Sequence, residues 1–129
     1  ELCITGYGCE DLFLSNWVSE RAISLIPSIS RHCAGITVLV GLPIWLNNHN
    51  YNCICVIQDK KVIGFNAKQF LANDGVHYEP RWFTPWPSGK IDTLNLDGQD
   101  VPFGDFQFYV RESHAFECAD RIIPHQITV

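Results

Sequence analysis

The sequence contains no methionine, and it opens directly on Glu1-Leu2-Cys3-Ile4-Thr5. A chain without an initiator is expected to have a processed N-terminus or to be a piece of a longer protein. Long hydrophobic runs are missing as well. A stretch such as Gly35-Ile36-Thr37-Val38-Leu39-Val40-Gly41 falls far short of the roughly 20 apolar residues of a spanning helix, so no membrane partner is expected. No positively charged start leads into an apolar segment, which argues against a secretory signal. Asn-x-Ser/Thr acceptors are absent. Positive charge is scarce: 9 Lys+Arg against 14 Asp+Glu give a formal net charge of -5, which repels polyanions and argues against nucleic acid or an anionic membrane as partner. Six cysteines are too few for a fold built on disulfides. Cys3, Cys33, Cys53 and Cys55 lie in or beside apolar stretches and are expected to act as small buried hydrophobes. Cys53-Ile54-Cys55 puts both thiols on one face of a strand, which suits neither a redox pair nor a zinc site, and His32-Cys33 has no second half-site. No metal is expected, and a reducing cytoplasm is the expected compartment.

What is present is globular. With 129 residues, 47% hydrophobic and 18% charged, the length suits one ordinary domain. Glu1–Thr5 reads as the end of a strand stopped by Gly6-Tyr7-Gly8. Leu14, Trp17, Val18, Ala22, Leu25, Ile26 and Ile29 recur at helical spacing, with Glu10 and Asp11 favourable near the start and Pro27 ending the helix. Gly35–Leu42 reads as a strand covered on both faces, and Asn47–Asn50 as a turn. Tyr51–Gln58 and Val62–Asn66 form the strongest hairpin signal, joined across Asp59-Lys60-Lys61. Residues 69–105 carry Pro80, Pro85, Pro87 and Pro102 and read as a long ordered loop, with short strands near Ile91–Leu96. Loops of that length are usually functional. Asp105–Val110 and His114–Cys118 are further strand candidates, and residues 121–129 show no clear closing element. No repeat, low-complexity tract or linker interrupts the chain.

Three segments carry a family resemblance. Glu1-Leu2-Cys3-Ile4-Thr5-Gly6-Tyr7-Gly8-Cys9-Glu10-Asp11-Leu12-Phe13 resembles the Pro-Glu-Leu-x-x-x-Gly-Tyr-x-x-Glu-Asp-Leu stretch of nitrilase-type amidases, starting one residue after the proline. Ala67-Lys68-Gln69-Phe70-Leu71-Ala72-Asn73-Asp74-Gly75, with Tyr78-Glu79-Pro80-Arg81-Trp82-Phe83-Thr84-Pro85-Trp86, is similar to the lysine segment of the glutaminase domain of glutamine-dependent NAD synthetases. Cys118-Ala119-Asp120, with Pro124-His125, is similar to the nucleophile segment of the same domain. The block from Leu71 to Trp86 is the most specific of the three.

The resemblance implies an α/β fold, here part of a nitrilase-like α-β-β-α sandwich, with residues 1–129 forming part of a carbon-nitrogen hydrolase domain. Amide hydrolysis needs a thiolate nucleophile, a carboxylate to move its proton, and a cation where the carbonyl oxygen turns anionic. The resemblance implies Cys118 as nucleophile, Glu1 as general base and Lys68 as that cation. It further implies Tyr7 as a cover of the glutamine pocket and Glu79 as an acid that helps hold the lysine. Glutamine would be the substrate, and its ammonia would pass to a synthetase domain of the same polypeptide, which amidates deamido-NAD. The full-length protein would be a homo-oligomer. No Ser-Gly-Gly-x-Asp-Ser loop for ATP occurs in the sequence, so ATP and magnesium are expected in that other domain and no cofactor in this one.

Each residue also has a plainer reading. Glu1 alone is an exposed acid that would fray, Lys68 a solvated loop lysine, Tyr7 a packing aromatic, and Glu79 a surface acid beside Arg81. Arg81–Trp86 fits loop packing better than base stacking, given the acidic balance. Around Cys118 the order Phe116-Glu117-Cys118-Ala119-Asp120 departs from the family, with Glu117 abutting the cysteine and Ala119 in place of an acid. Either the strand has slipped, which would turn its side chains to the opposite face, or the site is altered. A stand-alone amidase on another amide and a non-catalytic fragment keeping the fold remain as alternatives to the glutaminase.

Overall fold

A computed structural model of the chain describes residues 1–76 and 78–106. Within them, five strands form one mixed sheet: β1 (Thr37–Leu46), β2 (His49–Gln58), β3 (Lys61–Ala67), β4 (Ile91–Leu96) and β5 (Gln99–Gly104). The spatial order is β1-β2-β3-β5-β4. All neighbours are antiparallel except β3 and β5, which run parallel through Phe65↔Phe103 and Asn66↔Gly104.

Three two-residue turns set the register. Asn47-Asn48, Asp59-Lys60 and Asp97-Gly98 all have positive φ at both positions, the mirror-image turn whose twist matches that of the flanking strands. The Asn-rich turn is therefore shorter than expected, since His49 and Asn50 already belong to β2. Likewise Lys61 opens β3 rather than closing the turn. The β4–β5 hairpin was only half expected. Pro102 sits inside β5, and prolines weigh against a strand, yet Asp97-Gly98 is itself a strong turn signal.

Alternation along the strands separates two faces. Val40, Leu42 and Ile44 of β1 lie opposite Cys55, Cys53 and Tyr51 of β2, and Phe65, Ala67, Val101 and Phe103 continue the apolar layer. Trp86 closes it, edge-on to Tyr51 at 5.0 Å and to Phe103 at 4.9 Å between ring centres. The opposite face carries Gly41, Pro43, Asn52, Ile54 and Asn66, and it continues in register to Lys68.

The helical region differs from the expected single helix. It divides into a 3-10 turn at Glu10–Leu14, α1 (Asn16–Ile23) and α2 (Ile26–Ser30). Ser15 is extended and breaks the first junction. Pro27 does not end a helix; it sits in the first turn of α2, where its missing N–H leaves no hydrogen bond unmade. The break leaves Leu14 (57%) exposed, and Trp17 (54%), within α1, lies off the buried stripe of Val18, Ala22 and Ile26. Glu1–Thr5 is a turn rather than a strand end. Among the described residues no helix is long and apolar enough to cross a membrane.

Among the described residues β1 is a sheet edge, and its outward-facing backbone is capped by side chains. Ser19 of α1 donates to the Pro43 carbonyl at 2.9 Å and accepts the Trp45 N–H at 2.8 Å. Ser19→Ala removes the partner of the buried Pro43 carbonyl and of the half-buried Trp45 N–H. We expect a loss of about 1–3 kcal/mol, read as a lower urea midpoint at unchanged slope.

Asp105 and Phe106 lie outside any strand. The remainder of the expected strand at 105–110, the strand candidate at 114–118, Cys118 and residues 121–129 lie outside the described residues.

Candidate active site

The long segment after β3 is held closed at its base. The Lys68 N–H donates to the Asn52 carbonyl at 2.9 Å, and the Trp86 N–H donates to the Lys68 carbonyl at 3.0 Å. Thr84 N–H also donates to the Asn50 carbonyl at 2.8 Å. The loop thus leaves and returns at one point of β2, and Lys68 is fixed at its mouth. Lys68 is only 8% exposed, and burial alone would favour its neutral form. Instead its ammonium lies 3.0 Å from Glu1 Oε1 and 3.1 Å from Glu79 Oε2. Burial pulls the Lys68 pKa down, but hydrogen bonds and charge from Glu1 and Glu79 outweigh it, so the group is held above its ordinary value.

Glu79 opens a 3-10 turn, Glu79–Arg81, and is 3% exposed. Such a buried carboxylate needs donors, and it has four. Ala72 N–H reaches Oε2 at 2.6 Å, and Asn52 Nδ2 and the Tyr7 hydroxyl reach Oε1 at 2.7 Å each. The Lys68 ammonium spans both oxygens. Burial pushes the Glu79 carboxyl up, while Ala72, Tyr7 and Lys68 together bring it below the ordinary value.

Glu1 is 60% exposed at its side chain, yet its position is fixed. Leu2 is buried with Phe13, Val18 and Phe83, and Ile4 N–H donates to the Gly41 carbonyl at 3.2 Å. Its carboxylate accepts from the Tyr7 hydroxyl and from Lys68, which hold it below the ordinary value. Tyr7 is pushed strongly upward, by burial first and then by the two carboxylates it faces.

The structure therefore brings Glu1, Tyr7, Lys68 and Glu79 into one cluster, two carboxylates around one ammonium, and Cys118 lies outside the described residues. The ammonium carries three N–H donors and faces three carboxylate oxygens, Glu1 Oε1 and both oxygens of Glu79. Asn52 was not singled out from the sequence. Its signal was there: Asn50 and Asn52 alternate with the apolar Tyr51 and Cys53, which puts amides on the face away from the core. Arg81 does not accompany Glu79; it makes a bidentate pair with Asp11 at 2.7 and 2.9 Å. Trp82 Nε1 joins the same carboxylate, and Arg81 first, then Trp82, hold Asp11 at about 2. This clamp ties the segment after Tyr7 to the turn that carries Glu79.

Burial raises Cys53 well above its ordinary value and Cys55 to about 12. Cys3, expected to be buried, is exposed. Among the described residues no group of three His, Cys, Asp or Glu could hold a metal ion.

Fold and site together define a mixed α/β domain of nitrilase-like type. The chain has a TM-score of 0.82 and 52% identity to a glutamine-dependent NAD(+) synthetase from Cytophaga hutchinsonii, covering 86% of this chain and 19% of that one. A second similar structure is the glutamine-dependent NAD+ synthetase of Acinetobacter baumannii in complex with ADP, at TM-score 0.60 and 26% identity, covering 79% of this chain and 19% of that one. In sequence, the chain is 35% identical over 116 residues to the glutamine-dependent NAD(+) synthetase of Saccharomyces cerevisiae, covering 81% of this chain and 16% of that protein. It is 38% identical over 97 residues to that of Dictyostelium discoideum, covering 70% of this chain and 13% of that protein. No family model matches. The chain is similar to part of the glutamine-dependent NAD(+) synthetases and spans less than a fifth of the length of these relatives.

Proposed function

We propose that the chain is part of the glutamine-hydrolysing domain of a glutamine-dependent NAD synthetase. In this reading Cys118 attacks the glutamine amide, Glu1 takes the thiol proton and returns it to the departing ammonia, and Lys68 stabilises the oxyanion. Water activated by Glu1 then hydrolyses the glutamyl thioester. Ammonia passes to a synthetase domain of the same polypeptide, where ATP-dependent chemistry amidates deamido-NAD. ATP and magnesium belong to that domain in this reading, and none of the steps assigned here uses them. The observation that carries the reading is a buried lysine fixed between two carboxylates. A structural ion pair needs one carboxylate, and a second that leaves the cluster at net -1 is better explained by a proton-moving role.

Ammonia release from glutamine tests it. Cys118→Ala is expected to lower the rate by roughly 10³-fold or more. Equal release by both proteins removes the Cys118 assignment. Release from other amides but not from glutamine makes the chain a different amidase, and no release from any amide favours a fold kept without turnover.

A further inference from the structure

Tyr7 stands between the two carboxylates with a single hydroxyl hydrogen to give. Glu1 Oε2 and Glu79 Oε1, the latter at 2.7 Å, both lie within hydrogen-bonding reach of its oxygen. Asn52 Nδ2 lies 3.1 Å from the same oxygen and can only donate. It therefore occupies one lone pair of the phenol in every state. The hydroxyl hydrogen has two destinations that differ in their other donors. Glu79 keeps Asn52, Ala72 and Lys68 without it. For Glu1 the other bonded donor is Lys68 at 3.0 Å. With both carboxylates ionised, the hydrogen is worth more at Glu1. Once Glu1 carries a proton on Oε2, that O–H becomes a donor, the second lone pair of Tyr7 accepts it, and the hydroxyl hydrogen turns to Glu79. The heavy atoms need not move.

We infer that Tyr7 is a hydrogen-bond switch that serves Glu1 in both of its protonation states, donating to the carboxylate and accepting from the acid while Glu79 takes the hydrogen. Tyr7 keeps its own O–H bond throughout. A proton taken up by Glu1 stays on Glu1, ready for the departing group. Its mechanistic meaning rests on Glu1 acting as the general base, and it makes Tyr7 a positioning residue for that base rather than a wall of the pocket. Among the described residues, the charged groups around the switch are Glu1 with its α-amino group, Glu79 and Lys68, the last bonded to both carboxylates.

Carbon-13 NMR of the glutamate and tyrosine side chains, followed across the acid range, reads the switch without turnover. In the wild type, the Glu79 carboxyl carbon and Tyr7 Cζ should each show an inflection at the Glu1 midpoint. In Tyr7→Phe the Glu79 inflection should vanish and the Glu1 midpoint should move upward, although Lys68 still joins the two acids. Silence of Glu79 and Tyr7 through the Glu1 titration overturns the inference in the wild type alone, whatever the variant's folding. An inflection that persists in Tyr7→Phe overturns it as well, because the coupling then runs through Lys68. A chain that shows the switch but releases no ammonia from glutamine keeps this inference and loses the glutaminase reading.

Discussion

Lys68→Met should abolish most amide hydrolysis and also weaken the fold, and the two losses have separate causes. Removing the ammonium deletes the cation proposed to meet the oxyanion, a change expected to cost roughly 10²–10³-fold in rate. The structural loss comes mainly from Glu79. It is 3% exposed, and without Lys68 its charge rests on Ala72 and Asn52, with the Tyr7 hydrogen shared with Glu1. Breaking a buried pair from one side is expected to cost about 3 kcal/mol, the lower end because those donors remain. Glu1, largely exposed at its side chain, adds little. The pH dependence separates the contributions. Glu79 is held below its ordinary value of 4.5, so its stabilisation is complete above that value and is lost as pH falls through the lower folded value. Lys68→Met raises the folded value, and the acid-side loss should start at higher pH in urea titrations. A variant with wild-type acid stability shows that the lysine contributes nothing to holding Glu79. Full hydrolysis by it removes the oxyanion role.

The parts of this arrangement that were legible in the sequence are those governed by period and by turn chemistry. Asp59-Lys60 punctuates β2 and β3, so that hairpin was read to within two residues, whereas the first strand, read as Gly35–Leu42, runs from Thr37 to Leu46. The helix was misread because spacing cannot detect a break. Leu14 keeps helical spacing with Val18 across Ser15, but one extended residue turns it away from the core, whereas Trp17 belongs to α1 and lies beside the buried stripe. β5 fell inside the segment read as a long loop on the strength of its prolines, Pro102 among them, although a strand with one proline still pairs on both sides here. Within the site, Glu1, Tyr7, Lys68 and Glu79 came from resemblance. Their convergence depends on the closure of a loop across Lys68 and Trp86, a long-range contact that no local pattern encodes. Asn52 could have been found from the alternation, since an amide opposite a proline on an otherwise apolar hairpin needs a reason.

Gly41→Ala should remove activity while leaving the sheet intact, because this glycine is where Glu1 rests. An added Cβ would lie 1.7 Å from the Glu1 carbonyl oxygen, 2.4 Å from its carbon and 3.0 Å from the Leu2 nitrogen. All three are backbone atoms, so no side chain can rotate away and one segment must move. β1 is paired with β2 from Thr37↔Gln58 to Leu46↔His49, whereas the first residues are held to β1 by the Ile4–Gly41 hydrogen bond and by Cys3 Sγ. The first residues will yield. Glu1 then leaves Tyr7 and Lys68, and a misplacement of about 1 Å in a proton-moving group is expected to cost on the order of 10²-fold. Lys68 keeps Glu79, so far-ultraviolet circular dichroism should not change and the urea midpoint should fall less than in Lys68→Met. Gly8→Ala is the control, since an added Cβ meets nothing within 4 Å there, and its stability should stay within about 0.5 kcal/mol of wild type. Wild-type activity in Gly41→Ala overturns the role given to Glu1, because no arrangement keeps both that methyl group and the present path of the chain at Glu1.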